Sequence, residues 1–284
     1  MKATIGLPVY NCERFISLSI QSVLNQTFSD FELIITDDGS TDKTKDVVLA
    51  FNDHRIKCFF DGVNRGIAYR LNEQIMMAKG KYFVRMDADD IMFPDRLEKQ
   101  INYLEDHPEI DVIGSSAIVI DNFNNILGIR PVLLMSSKNI YKRVPFIHPT
   151  VIGRIKWFRT YMYSEDLSGV EDFDLWIRSY PYSSFQPIQE PLLFYRDPLV
   201  FSFNKYLFRQ RQLRKCLFKY CAGYNLFYFT FIILSSYIKQ ILLFLSVLTH
   251  TNAYLISKRN KPLTAESKWK FAYILNAIIS KCRL

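Results

Sequence analysis

Gly80-Lys81-Tyr82-Phe83-Val84-Arg85-Met86-Asp87-Ala88-Asp89-Asp90 is a short run of aromatic and apolar residues that ends in three carboxylates within four positions. Residues 82–86 read as a buried strand, and Gly80 stands where a preceding helix would end. The acids then close the strand. Three such charges repel one another, and a divalent cation is the simplest compensation. Working outward, the same strand–turn–helix grammar repeats through the first 120 residues. Residues 3–7 form a strand stopped by Pro8, and Phe15, Leu18, Ile20, Val23 and Leu24 recur at helical spacing. Residues 31–36 are a second strand, followed by Asp37-Asp38-Gly39-Ser40-Thr41-Asp42, whose Ser40, Thr41 or Asp42 caps a helix to about residue 50. A third strand falls at 56–60, helices at 67–78 and 95–106, and a turn at 122–125. Alternation of this kind predicts an α/β fold with a mostly parallel sheet covered by helices, whose ligands bind beyond the strands' carboxyl ends.

Composition divides the chain. The 284 residues carry a formal charge of +8, but residues 1–200 hold 22 basic and 27 acidic side chains, whereas 201–284 hold 14 basic residues against one acid, Glu266. Apolar content of 49% excludes a disordered chain. The expected organisation is a catalytic domain over 1–200 and a basic, aromatic-rich helical region over 201–284. Five cysteines (Cys12, Cys58, Cys216, Cys221, Cys282) show no CxxC spacing, so free thiols in a reducing compartment are expected. Nothing of signal-peptide character opens the sequence, which places the catalytic part in the cytoplasm.

Seven blocks occur in the order and spacing of one family: Leu7-Pro8-Val9-Tyr10-Asn11, Asp37 to Asp42, Asn64-Arg65-Gly66-Ile67, Gly80-Lys81-Tyr82 leading into Arg85 to Asp90, Phe93-Pro94-Asp95-Arg96-Leu97, His148-Pro149-Thr150-Val151 and Glu171-Asp172-Phe173-Asp174-Leu175-Trp176. Over about residues 2–200 the chain resembles the family 2 glycosyltransferases, which have the GT-A fold. The resemblance implies an inverting transferase that moves a sugar from a nucleotide-diphospho-sugar, with a UDP-sugar as the leading donor, to a saccharide or lipid-linked acceptor in bacterial surface polysaccharide assembly. It implies that Pro8, Val9 and Tyr10 wall the base pocket, that Asp38 accepts a hydrogen bond from the base, and that Asn64 and Gly66 line the same pocket. Asp87 would touch the donor and Asp89 a Mn²⁺ or Mg²⁺ ion on the diphosphate. Asp172 would be the general base, its pKa raised by the neighbouring charges of Glu171 and Asp174. His148, Glu171 and Trp176 would stand on the acceptor side, Trp176 stacking on a sugar ring.

Two departures from the family pattern stand out. Tyr69 and Arg70 replace small residues, Arg70 reaching the diphosphate or lying on the surface. Pro198 stands where members often have a histidine, which leaves Arg196 to act alone on the donor. Rival readings are a nucleotidyltransferase of similar architecture and a non-catalytic saccharide-binding relative. Pro8-Val9-Tyr10-Asn11-Cys12-Glu13 lacks the phosphate loop of the first, and the retained acids argue against the second.

Residues 220–238 carry no charge and seven aromatics, and 240–256 are again uncharged. Arg209, Arg211, Arg214, Lys215 and Lys219 precede these runs, and Lys258, Arg259 and Lys261 follow. Helices lying on an anionic membrane, a true span or hairpin, and a packed helical domain or homo-oligomer interface all fit this pattern. The first places the enzyme on the cytoplasmic face of the inner membrane as a peripheral or monotopic protein. No nucleic-acid motif accompanies the basic residues.

Overall fold

A computed structural model describes residues 1–132, 144–197, 202–220, 226–249, 251 and 259–281. Pro198, Lys258, Cys221, Cys282, residues 221–225 of the first uncharged run and residues 250 and 252–256 of the second lie outside them. The elements are β1 (Ala3–Val9), α1 (Ile16–Leu24), β2 (Phe31–Asp37), α2 (Thr44–Leu49), β3 (Ile56–Phe60), α3 (Ile67–Met77), β4 (Tyr82–Arg85), β5 (Ile91–Met92), α4 (Arg96–Asp106), β6 (Val112–Ile120), β7 (Ile126–Arg130), β8 (Ile152–Arg154), α5 (Ile155–Thr160), α6 (Glu171–Ser179), β9 (Phe185–Arg196), α7 (Phe203–Lys219), α8 (Leu226–Leu248) and α9 (Ala265–Lys281).

One sheet runs β3-β2-β1-β4-β8-β6-β9-β5, with β7 on β6. Its first four strands are parallel, as the alternation predicts. The remainder is mixed: β8 runs antiparallel between β4 and β6, while β6 and β9 pair in parallel. This mixed half comes from residues 112–196, where β6 turns straight back into β7 through 121–125 and leaves no room for a crossover helix.

The first strand does not stop at Pro8 but continues to Val9, where it faces Asp37. Successive residues of a parallel strand bond to opposite neighbours, and Lys2 and Gly6 turn their carbonyls to β4. Pro8 therefore faces the β4 side, beyond the last β4 pairing at Gly6 and Arg85, and its missing N–H costs no ladder bond. At α2 the cap position falls to Lys43, which makes no side-chain cap, rather than to Ser40, Thr41 or Asp42; Asp42, one residue earlier, accepts from the Thr44 amide at 2.9 Å.

Two apolar clusters flank the sheet. One joins β1, β2 and β4 to α1 and α4 through Ile5, Leu7, Ile20, Val84 and Leu97. The other gathers Phe83, Trp157, Phe158 and Trp176, and residues of α7 and α8 enter it: Cys216, Leu217, Phe229 and Ile232. Leu275 and Ile278 of α9 pack on Ile91, Phe93 and Phe194 in a third cluster. Several basic residues expected to face lipid are engaged on protein instead. Arg209 donates to the Gly169 carbonyl, Arg214 to Ser236 and Lys215 to the Asp166 carbonyl, and Lys219 lies 3.8 Å from Asp174. Cys12, Cys58 and Cys216 are free thiols.

The approach of the α3–β4 connection to β1 depends on Gly80, whose amide donates to the Thr4 hydroxyl at 2.9 Å. A Cβ there would stand 2.4 Å from the Ala3 carbonyl carbon and 2.5 Å from the Thr4 nitrogen, both backbone atoms. Gly80→Ala is expected to destabilise the fold by about 1–3 kcal/mol, read from the midpoint of denaturant unfolding.

Candidate active site

The carboxyl ends of β1, β2 and β4 lie side by side, and the loops that leave them are tied together. Asn11, in the left-handed region at φ 48°, receives the Thr41 amide on its side-chain oxygen at 2.8 Å and donates its own amide to Ser40 at 2.9 Å. Pro8 and Val9 are buried beneath this junction, and Tyr10 is half exposed above it. Asp37 is spent on the turn, accepting from Gly39 and Ser40. Asp38 donates its amide to the Val9 carbonyl, while its carboxylate accepts from the amides of Arg65 at 2.7 Å and Gly66 at 3.0 Å. Gly66 supplies φ +87°, and the space over Gly39 is closed by the Asn64 amide, 2.9 Å from where a Cβ would sit.

Arg70 neither lies on the surface nor reaches toward a diphosphate. It is buried and donates to Asp38 at 3.1 Å, Asp61 at 2.6 Å and Glu73 at 3.1 Å. A larger residue thus replaces the small ones because it fills an acidic socket, bracing Asp38 from behind.

Beyond β4, the carboxylates of Asp87, Asp89 and Asp90 bring oxygens within 4.8 Å of one another. They are not equivalent. Asp90 is wholly buried, with one oxygen accepting the Arg196 amide at 2.7 Å and the other unpartnered. Asp87 and Asp89 are partly open. Burial, then the charge of Asp87, raises the Asp89 pKa to about 6. A group of oxygen donors this close, with ionisation suppressed, fits a hard divalent cation.

Arg196 does not stand free to act on a donor. Its guanidinium donates to the carbonyl of Asp89 at 2.8 Å and to the Asn124 side chain at 2.8 Å, and lies 4.4 Å from the centre of the Phe15 ring. It frames the acidic loop.

Glu171 and Asp172 open α6. Asp172 is half-buried and its Oδ1 accepts the amide of Phe173 at 2.8 Å. Burial raises its pKa, while that hydrogen bond and the charges of Arg209 and Arg85 pull it down. Neither of the expected contributions is among the causes: the repulsion between Glu171 and Asp172 falls on Glu171, and Asp174 points the other way. Wholly buried, it binds Arg178 at 2.7 Å and the Tyr220 hydroxyl at 2.7 Å. Glu171, nearly buried with Oε2 unpartnered, is raised by burial and then by Asp172. His148 meets the Tyr163 hydroxyl at 2.8 Å, and burial with Arg85 lowers its pKa, so it stays neutral.

Trp176 is placed away from any acceptor. It is fully buried, its ring stacked on Trp157 at 6.0 Å and met edge-on by Phe146 and Phe185. Its helical spacing from Phe173 signals core here.

One residue central to the site went unassigned at the sequence level. Arg85, 3% exposed, pairs with Asp87 at 2.5 Å and leaves Nε without a partner. Its charge reaches Asp89 and Asp90 on one side and His148, Glu171 and Asp172 on the other. The available signal was a cation inside an otherwise apolar strand. Tyr163, buried beside it, also feels both Asp87 and Asp172, so both carboxylate sets lie within electrostatic reach of one buried tyrosine.

Residues 4–167 match the family described as Glycosyl transferase family 2. The Bacillus subtilis protein EpsE, named as a glycosyltransferase, is 37% identical over 62% of this chain and 66% of its own length, just under two thirds. The uncharacterized glycosyltransferase MJ1057 of Methanocaldococcus jannaschii is 33% identical over 69% of this chain and 70% of its own length. Among solved structures, S. aureus TarS with UDP-GlcNAc superposes with a TM-score of 0.62 at 20% identity, covering 82% of this chain and 70% of that one. The mannosyltransferase PcManGT from Pyrobaculum calidifontis, with GDP-Man and Mn²⁺, gives 0.60 at 18% identity over 96% and 80%.

Protons and a cation compete for Asp89. With its pKa raised to about 6, ionisation at pH 5 falls to roughly one tenth, so apparent Mn²⁺ affinity should drop about tenfold from its value at neutral pH. Titrations of the thermal shift with Mn²⁺ at pH 5 and pH 7.5 test this; equal affinities contradict it.

Proposed function

From the premise that the chain belongs to glycosyltransferase family 2, we propose that it transfers a sugar, with inversion, from a nucleotide-diphospho-sugar to a saccharide or lipid-linked acceptor in surface polysaccharide synthesis. The observation that carries this reading is the buried guanidinium of Arg85, paired with Asp87 of the acidic cluster and within electrostatic reach of Glu171 and Asp172 at the start of α6. The names of related structures support a nucleotide-sugar donor, since they hold UDP-GlcNAc and GDP-Man.

The base end of the donor lies over Pro8, Val9 and Tyr10, between the loops of Asp38 and of Asn64 and Gly66. Asp38 receives the base's N–H: among the described residues its Oδ2 accepts only the Gly66 amide, and loop amides with Arg70 keep the carboxylate in place. Asp89, with Asp87 beside it, would hold Mn²⁺ or Mg²⁺, which when bound would supply positive charge to the departing diphosphate. Arg196 keeps that loop in position. Asp172 takes the proton of the acceptor hydroxyl as its oxygen bonds to the anomeric carbon and the bond to the diphosphate breaks. Burial that raises the Asp172 pKa suits it to this task, and attack from the face opposite the leaving group inverts the centre. Glu171 and neutral His148 orient the acceptor.

Residues 1–200 serve as the catalytic part and 201–284 seat it on the cytoplasmic face of the plasma membrane. Supporting this, Phe229–Leu248 is 20 residues long with a mean hydropathy of 2.0, enough to cross a membrane, although helices of soluble proteins also pass that test. Leu234, Ile238, Ile241, Leu242 and Leu245 form an outward stripe on α8, whose other side carries Phe229 and Ile232 into the core.

Asp172→Asn is expected to lower the transfer rate by about 10²–10⁴-fold with donor binding intact, and Asp89→Ala to abolish metal-dependent transfer. Rates and donor thermal shifts in a nucleotide-sugar panel check both, and full activity in Asp172→Asn sinks the base assignment. The protein should float with vesicles containing anionic lipid, and replacing Ile238 and Leu242 by Asp should release it.

A further inference from the structure

Next to the acidic loop, an open cleft of about 450 Å³ lies between the turn that follows β6 and helix α9. That volume is within the range of ligand sites, roughly 300–1,000 Å³. One guanidinium links it to the metal loop: Arg196 donates to the Asp89 carbonyl and to the Asn124 side chain. The same turn holds Asn124 in the left-handed region at φ 66°, its amide bonded to the Asp121 carbonyl.

The lining is neither core nor ordinary surface. Asn124, Asn125 and Asn276 present three amides. Asn125 gives its NH₂ to Asp121 and Asn124 its oxygen to Arg196, so the opposite amide atom of each has no partner among the described residues, and neither amide atom of Asn276 has one. Lys268 adds N–H donors, and Ala272 with Leu275 forms an apolar floor. Phe123 is 77% exposed, with Arg14 5.4 Å from its ring centre. Paired donors and acceptors beside an apolar floor and a bare aromatic ring suit the hydroxyls and C–H faces of a pyranose.

We propose that this cleft binds a saccharide unit of the acceptor, one or more residues away from the unit that receives the sugar. The inference rests on the transferase reading above. It makes α9, which lies beyond the stretch matched by the family, a determinant of acceptor choice.

The test uses the full chain with Mn²⁺ and UDP on an array of bacterial surface oligosaccharides, alongside hydrolysis of a nucleotide-sugar panel by water. The wild type should bind glycans. Ala272→Trp, which fills the cleft, should cut binding at least tenfold and Asn276→Ala several-fold, with hydrolysis within twofold of wild type. Asn276 is exposed, so that variant carries the test should Ala272→Trp fail to fold. Absence of glycan binding with hydrolysis intact overturns the cleft assignment, as does undiminished binding by the variants. Glycan binding without turnover of any donor instead overturns the transferase reading and leaves the cleft standing.

Discussion

Three carboxylates packed at the end of a buried strand repel one another strongly, and the surrounding structure is arranged to contain them. Arg196 closes the loop from one side with its backbone amide on Asp90 and its guanidinium on the Asp89 carbonyl. Arg85 meets Asp87 from below. Neither cation neutralises Asp89, whose pKa stays raised because burial and Asp87 outweigh both arginines. The site is therefore held in an electrostatically incomplete condition, ready for an added positive charge, and strand β9 must cross the sheet to β6 in order to deliver Arg196.

The same logic of braced acids recurs at the end of β2. Asp38 is fixed by two loop amides and by Arg70, itself enclosed by Asp61 and Glu73. Fixing a carboxylate before a ligand arrives spares the entropy of ordering it later.

Much of this was legible in the sequence. The strand and helix pattern through Asp106 follows from periodicity, and the acidic clusters fall at strand ends because loops there escape the apolar demand of the sheet. Asp38 and Asp89 stand out from their acidic neighbours only through the resemblance to the family 2 glycosyltransferases. What stayed hidden depends on contacts between distant segments. Arg70 and Arg196 look like free cations until Asp61 and Asn124 are brought beside them. Trp176 looks equally suited to a sugar or to a core, and only the arrival of Trp157, Phe146 and Phe185 decides for the core. Pro8 ends a strand in principle but not where the neighbouring strand has already stopped. The charge imbalance beyond residue 200 was plain, but the engagement of Arg209, Lys215 and Lys219 with the α6 region was not.

Helix α6 has two consequences from one turn. Asp172 is half-buried at the start of the helix, and Asp174, two positions on, faces inward to Arg178 and to Tyr220 at the end of α7. Cys216 and Leu217 fill the apolar seat beside it. The segments before and after residue 200 are thus not separable modules joined by a tether. A chimaera that grafts another transferase's tail after residue 200 inherits a bare apolar seat and a buried acid stripped of its tyrosine, directly behind Asp172. Exchange of tails between relatives would have to carry the α6 surface with it, so the two segments are bound to diversify together.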